Sequence, residues 1–207
     1  MARLYALTVI HIEDDSKTKI LYCKSDLGCF GLFQSNTIKE FIRFGFIEMS
    51  QRCERDKRMV IKSNEYGGVL FNLLVKPDGL GIGILTNLDY PKNTITYIIH
   101  RSFELFYSNI VDDIITSSCI KNSSSELDYL FTHFNNQKNC KLSKEEMIKT
   151  ELDETNEKMS VLVTKLISRE DELQDIVSKS EVLSDKSKVF FKKAKKSKRC
   201  HVLCVLQ

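Results

Sequence analysis

Glycine and proline are missing from more than half of the chain. All eight glycines and both prolines of the 207-residue sequence lie within residues 28–91, and residues 92–207 contain neither. These residue types supply positive φ, fixed φ and breaks in helices, so the tight turns must be concentrated in the first part of the chain. Residues 92–207 can therefore include a long, uninterrupted helix.

Long apolar runs and paired cysteines are also missing. No apolar stretch approaches the ~20 residues that a helix needs to cross a bilayer. The run Leu4–Ile10 is too short and too soon followed by acidic residues for a signal peptide, and it predicts a strand. The seven cysteines are irregularly spaced without a C-x-x-C pair, which fits neither a disulfide framework nor a zinc module. We expect a cytosolic protein with reduced thiols and neither cofactor nor metal.

The sequence lacks the motifs of the common enzyme classes. No G-x-x-x-x-G-K-[ST] loop is present to cradle phosphates, and the glycines of Gly79–Gly83 are not followed by the lysine of such a loop. The four histidines show no metal-type spacing and form no recognisable triad with a cysteine. We therefore expect no catalytic activity, and a GTPase is excluded by the missing phosphate loop.

The first part of the chain has the pattern of an α+β domain, an antiparallel sheet with helices packed on its faces. The predicted strands are Leu4–Ile10, Lys19–Lys24, Met59–Ser63, Val69–Val75 and Leu80–Thr86. The predicted helices are Asn36–Arg52, capped by Thr37, a second from Tyr90–Pro91 to about Tyr107, and a short one at 126–138. The polar stretch 121–141 reads partly as a linker. These patterns predict a domain at 1–135 and a linker at 136–141.

A 3.5-residue repeat runs through the segment 142–199. Steps of alternately four and three residues connect Ile148, Leu152, Thr155, Met159, Leu162, Leu166, Arg169, Leu173, Ile176, Ser180, Leu183, Ser187, Phe190, Ala194 and Ser197. Most residues outside this seam are charged or polar. The repeat predicts a coiled-coil helix about 75 Å long.

Arg169 interrupts the apolar seam. A buried charge is costly unless its hydrogen bonds are satisfied, and a single polar seam residue can fix the register and the number of helices in a coiled coil. The small side chains of Ser180, Ser187 and Ala194 favour a bundle thicker than a two-stranded coil. Periodicity alone also allows a generic coiled coil or a surface helix in which the arginine has no special role.

The sequence ends with the tetrapeptide Cys204–Gln207, which has the C-a-a-X pattern with X = Gln that favours farnesylation. Just before it, the basic residues Lys188, Lys192, Lys193, Lys195, Lys196, Lys198 and Arg199 occur without any acidic residue. Such a cluster attracts anionic lipid at about 1 kcal/mol per residue. Cys200 is a candidate for palmitoylation, since one lipid chain holds a protein only marginally. A nuclear-localisation or RNA-binding patch is the alternative for the basic run.

Together these features resemble one family, the prenylated, longin-domain R-SNAREs of the Ykt type, which are relatives of synaptobrevin. The resemblance is carried in the C-terminal part by Glu151–Thr155, the run around Arg169, Lys179–Leu183 and Lys192–Ser197. In the first domain it is carried by Gly28–Phe33, Thr37–Phe41, Asn64–Tyr66 and Asp89–Pro91. Three features differ from the family, one of which is the divergent loop around residues 109–125. The residues His201–Leu203 separate cysteines that the family places side by side, and Lys92–Asn93 stand where an arginine usually follows the proline.

The resemblance implies an R-SNARE for vesicle docking and fusion, with a five-stranded longin domain followed by a SNARE motif at 142–199 and a lipidated tail at 200–207. Arg169 would be the ionic-layer residue facing glutamines from three Q-SNARE helices. Cys204 would carry the prenyl group and Cys200 a palmitoyl group. The longin domain would fold back on the SNARE helix in a closed cytosolic form, supported by Phe44.

Such a protein would cycle between the cytosol and the cytosolic face of Golgi, ER, endosomal or vacuolar and vesicle membranes. The alternative reading is a prenyl-anchored longin-type adaptor, in which the first domain binds partners and the tail only anchors it. In that case Arg169 would have no role in binding.

Overall fold

The computed structural model describes residues 2–13, 17–28, 32–63, 68–109, 117–136, 139–148, 162–163, 177–181, 183–189 and 192. The chain divides into two compact units. The first contains Met1–Asp26 and Phe46–Leu166, and the second contains Leu27–Gly45 and Ile167–Gln207. Each unit thus combines two separate stretches of the sequence.

A mixed sheet forms the centre of the first unit. Its strands are β1 (Leu4–Ile12), β2 (Thr18–Ser25), β3 (Arg58–Ser63), β4 (Val69–Val75), β5 (Leu80–Asn87) and β6 (Leu162–Val163). They lie in the order β2-β1-β5-β4-β3-β6. The first five pair antiparallel, whereas β6 pairs parallel with β3. The predicted five-stranded antiparallel sheet is confirmed, because each predicted strand lies within the observed one.

Two helices pack on one face of this sheet. Helix α2 spans Lys92–Tyr107 and helix α3 spans Ser117–Asn135. Their apolar side chains join those of β1 and β5 in one buried cluster, which includes Leu7, Ile84, Ile98 and Leu127. Burial of such side chains is the main favourable contribution to folding. The predicted α+β class follows from this arrangement and is confirmed.

Helix α3 differs from the expectation for this part of the chain. The polar run Asn122–Ser125 was expected to belong partly to a linker and the helix to start near residue 126, but helix α3 begins at Ser117. Its buried residues Leu127, Leu130, Phe131 and Phe134 follow a helical spacing, which holds the whole segment on the core. The polar residues are therefore accommodated as part of an amphipathic helix.

Helix α1 spans Leu32–Ser50 and therefore begins before the predicted start at Asn36. Thr37 lies inside the helix and is not its cap, because the helical backbone already runs through this position. Phe46 and Met49 on its last turns are fully buried in the first unit. The ring of Phe46 packs against Phe71 of β4 at a centroid distance of 5.4 Å.

Candidate functional site

The segment predicted as a SNARE motif is only partly described. Of its seam positions, the structure describes Ile148, Leu162, Ser180, Leu183 and Ser187. The remaining seam residues lie outside the described residues: Leu152, Thr155, Met159, Leu166, Arg169, Leu173, Ile176, Phe190, Ala194 and Ser197. The same holds for Lys193, Lys195, Lys196, Lys198, Arg199, Cys200 and Cys204, whereas Lys192 is described and exposed.

The segment begins with a helical turn at 144–148. The backbone N–H of Glu146 donates to Ser143 Oγ at 3.3 Å, and the N–H of Ser143 donates to Glu146 Oε2 at 2.7 Å. This reciprocal pair is a capping box, which satisfies two N–H groups at the start of a helix. The side chain of Ile148 is 61% exposed. The first seam residue is thus exposed to solvent within this helical turn.

Strand β6 shows that the motif is not a continuous helix in this structure. Leu162 pairs with Met59 and Val163 with Val60, so that the segment adds a short parallel strand to the edge of the sheet. At these two residues the free chain therefore forms a strand and not the coiled-coil helix that the repeat predicts. The physical reason is that a lone amphipathic helix buries too little apolar surface to offset its ordering entropy, whereas the edge of β3 offers unpaired backbone groups.

Further along the segment, two of its residues are buried against helix α1. Val177 and Leu183 form an apolar cluster with Phe44, and Phe41 packs against it. The rings of Phe41 and Phe44 meet edge to face at a centroid distance of 6.5 Å. All four residues belong to the second unit. Phe44, which the resemblance singled out, thus contacts the SNARE segment directly.

A single carboxylate of helix α1 holds the start of the helical turn at 185–189. Glu40 Oε2 accepts a hydrogen bond from the backbone N–H of Ser184 at 2.8 Å. Ser184 Oγ in turn accepts from the N–H of Ser187 at 3.3 Å, which is the position of an N-cap. Ser187 is itself buried. Two consecutive seam positions, Leu183 and Ser187, are therefore withdrawn from solvent in the second unit.

Electrostatics favour the charged form of Glu40. Burial alone would raise the pKa of this carboxyl group, but the hydrogen bonds from the Ser184 backbone and from the Ser187 and Ser184 hydroxyls outweigh it. The pKa of Glu40 is therefore lower than its ordinary value. A charged acceptor forms the stronger hydrogen bond to a backbone N–H at the start of a helical turn.

Sequence reasoning missed both β6 and the role of Glu40. A signal for the strand is present, since Val161, Val163 and Thr164 form a β-branched run within the heptads. Nothing in the sequence pairs Glu40 with Ser184, because the contact joins residues that are far apart in the chain.

The described part of the chain contains no group of histidine, cysteine, aspartate or glutamate side chains that could hold a metal ion. Within the same residues, none of the helices combines the length and the apolarity that crossing a bilayer requires. Cys23, Cys53 and Cys140 do not form disulfide bonds.

Comparisons with known proteins identify relatives. The synaptobrevin family model matches residues 144–203. The chain is 24% identical over 201 residues to "Synaptobrevin homolog ykt6" of Schizosaccharomyces pombe, covering 97% of this chain and 99% of that protein. It is 27% identical over 185 residues to "Synaptobrevin homolog YKT6" of Yarrowia lipolytica, covering 86% of this chain and 88% of the relative. These matches confirm the resemblance to the Ykt type.

Proposed function

We propose that this chain, which carries a synaptobrevin domain at residues 144–203 and resembles Ykt6 homologs along nearly its whole length, is an R-SNARE in vesicle docking and fusion. The observation that carries the proposal is the agreement between this domain and the heptad repeat centred on Arg169. In this role the seam enters a bundle with three Q-SNARE helices, and Arg169 donates hydrogen bonds to their glutamines. Bulkier side chains of the partner helices fill the space beside small seam residues such as Ser180.

The same seam residues support a closed form of the chain. Leu183 and Ser187 are buried in the second unit, and Leu162 lies in a strand paired with β3. A residue cannot be in this strand and in a bundle helix at once, so the two arrangements exclude each other. Partner helices must therefore compete with these contacts before the bundle can form, which keeps the free chain from assembling indiscriminately.

Lipid attachment completes the proposed mechanism. Prenylated Cys204, acylated Cys200 and the basic cluster would hold the chain on the cytosolic face of endomembranes, since a single lipid chain binds only marginally. Cys204 is only the seventh residue after Ser197, a span of at most about 25 Å. Bundle formation with helices anchored in another membrane would therefore draw the two bilayers together.

Bundle formation is tested by size-exclusion chromatography of the full chain with sets of three Q-SNARE helices. The matched variants are Leu173→Asp, at a seam position, and Glu172→Ala, at its neighbour outside the seam. We expect an equimolar four-component complex for the wild type and for Glu172→Ala, and its loss for Leu173→Asp because a buried, unpaired charge is costly. A complex that survives Leu173→Asp would instead support the anchored adaptor.

A further inference from the structure

A groove of about 500 Å³ lies between helices α2 and α3 in the first unit. We call it the α2–α3 groove. Tyr97, Arg101 and Leu105 line it from α2, and Glu126, Tyr129 and His133 line it from α3. Each set recurs at three- or four-residue spacing, so each forms one face of its helix. From Tyr97 to Leu105 the groove follows two helical turns, about 12 Å, which is longer than a single side chain and suits a polypeptide.

Aromatic rings form a continuous row along this groove. The ring centroids of Tyr97 and Phe134 are 5.5 Å apart, those of Phe134 and His133 4.9 Å, and those of His133 and Tyr129 6.0 Å. Phe134 lies in the buried core, and the row ends at Tyr129, whose side chain is 73% exposed. A large aromatic side chain displayed at the end of a packed row is a ready contact for a partner.

Two carboxylates, those of Glu126 and Glu146, line the groove together with the basic side chains of Arg101 and His133. The guanidinium of Arg101 is held by Glu104 at 2.7 Å, so its charge is already compensated. Glu126 accepts a hydrogen bond from the neutral side chain of Asn109 at 3.2 Å. The exposed carboxylate of Glu126 therefore favours a cationic partner over anionic lipid or nucleic acid.

We propose that the α2–α3 groove binds an arginine side chain on an extended segment of a partner protein. The planar guanidinium stacks on the exposed ring of Tyr129 and pairs with the carboxylate of Glu126. Its aliphatic stem lies along Leu105 and Leu130. Arginine is preferred to lysine because a planar, weakly hydrated guanidinium stacks on aromatic rings and binds a carboxylate in a fork, whereas an ammonium is a strongly hydrated point charge.

The position of the groove places such a partner next to the segment that would enter the bundle. Glu146, which lines it, belongs to the same helical turn as the exposed seam residue Ile148. A partner docked here lies beside the start of the SNARE segment. The inference does not depend on the proposed fusion role, because binding to the groove is measured without any Q-SNARE helix.

The test is an NMR titration of the isotope-labelled full chain with three nonapeptides in which Gly-Ser-Arg, Gly-Ser-Lys or Gly-Ser-Glu is repeated. We expect the arginine peptide to shift the amide resonances of the groove residues in a saturable way. The lysine peptide should bind more weakly and the glutamate peptide should produce no shift. Tyr129→Ala and Glu126→Gln, at exposed positions that leave the fold intact, should each weaken binding about two- to fivefold.

Two control variants separate groove binding from general charge attraction. Tyr129→Phe keeps the ring, and Glu145→Gln removes an exposed carboxylate beside the groove that does not line it. Both should leave the affinity for the arginine peptide unchanged. Equal binding of the arginine and lysine peptides, shifts located outside the groove, or binding that Tyr129→Ala does not weaken would overturn the proposal.

Discussion

Gly83 determines how closely helix α1 approaches the sheet in the first unit. A Cβ atom at this position would lie 2.6 Å from Cδ1 and Cε1 of Phe46, well inside van der Waals contact. Phe46 is fully buried and already contacts Phe71, so its ring has little room to move. The absence of a side chain at Gly83 is thus a packing requirement of β5.

Replacing Gly83 with alanine is expected to destabilise the first unit by about 1–3 kcal/mol, because an extra methyl group in a packed core forces its neighbours away. Chemical denaturation followed by circular dichroism measures the change in the free energy of unfolding. The double variant with Phe46→Leu, which makes space for the methyl group, should lose less stability than the sum of the two single variants. An additive double variant would contradict the close packing of these two residues.

Glu40 gives the second unit a specific dependence on pH. Its folded-state pKa is lowered, so its stabilising contribution is fully present above the ordinary value of 4.5 and is lost as the pH falls below it. The Ser184 amide resonance, followed during an acid titration, should report this loss. In Glu40→Gln, which keeps an acceptor but does not titrate, the same resonance should not show the transition. A transition that persists in Glu40→Gln would have to be assigned to another group.

At the scale of whole elements, the sequence predicts those strands and helices whose positions depend on local residue patterns. The strands β1 to β5 lie within about two residues of their predicted bounds, because alternating apolar residues and glycine turns define them locally. The start of α3 was missed since polar residues occupy its first turns. Strand β6 was missed because its pairing with β3 depends on a tertiary contact that overrides the heptad pattern.

The contact between helix α1 and the SNARE segment depends on Phe44. Replacing it with alanine removes a buried ring from the cluster with Val177 and Leu183, a change that typically costs about 3–5 kcal/mol in a core. Hydrogen exchange measured by mass spectrometry should therefore become faster across 177–189 and remain unchanged in β1 and β5. Val189→Ala, in the same segment but half-exposed, serves as the control and should leave the exchange unchanged.

At the scale of the whole molecule, one segment has two incompatible uses. In the free chain Leu162 extends the sheet and Leu183 packs on α1, whereas the proposed bundle needs both in one helix. The heptad repeat predicts the second use from sequence alone, since it is periodic. Periodicity does not predict the contacts of the segment in the free chain, because these contacts depend on the surfaces that the folded domain exposes.

The anchor proposed for the tail has a direct readout. The intact mass of the protein from a eukaryotic host should exceed the sequence mass by a prenyl group, and Cys204→Ser should abolish this increment because the thiolate is the attachment site. Cys200→Ser should remove only a palmitoyl increment and leave the prenyl group in place. An unmodified wild-type mass would remove lipid anchoring from the mechanism.

The central claim is that residues 142–199 become one continuous helix only in a four-helix bundle. Circular dichroism of this segment, alone and mixed with three Q-SNARE helices, tests it most directly, with size-exclusion chromatography to determine stoichiometry. Little helix in isolation is expected from the small apolar burial of a single amphipathic helix. On mixing, we predict a large gain in helix and an equimolar four-component complex. A stable helix in isolation, or no gain with any Q-SNARE set, would contradict the claim.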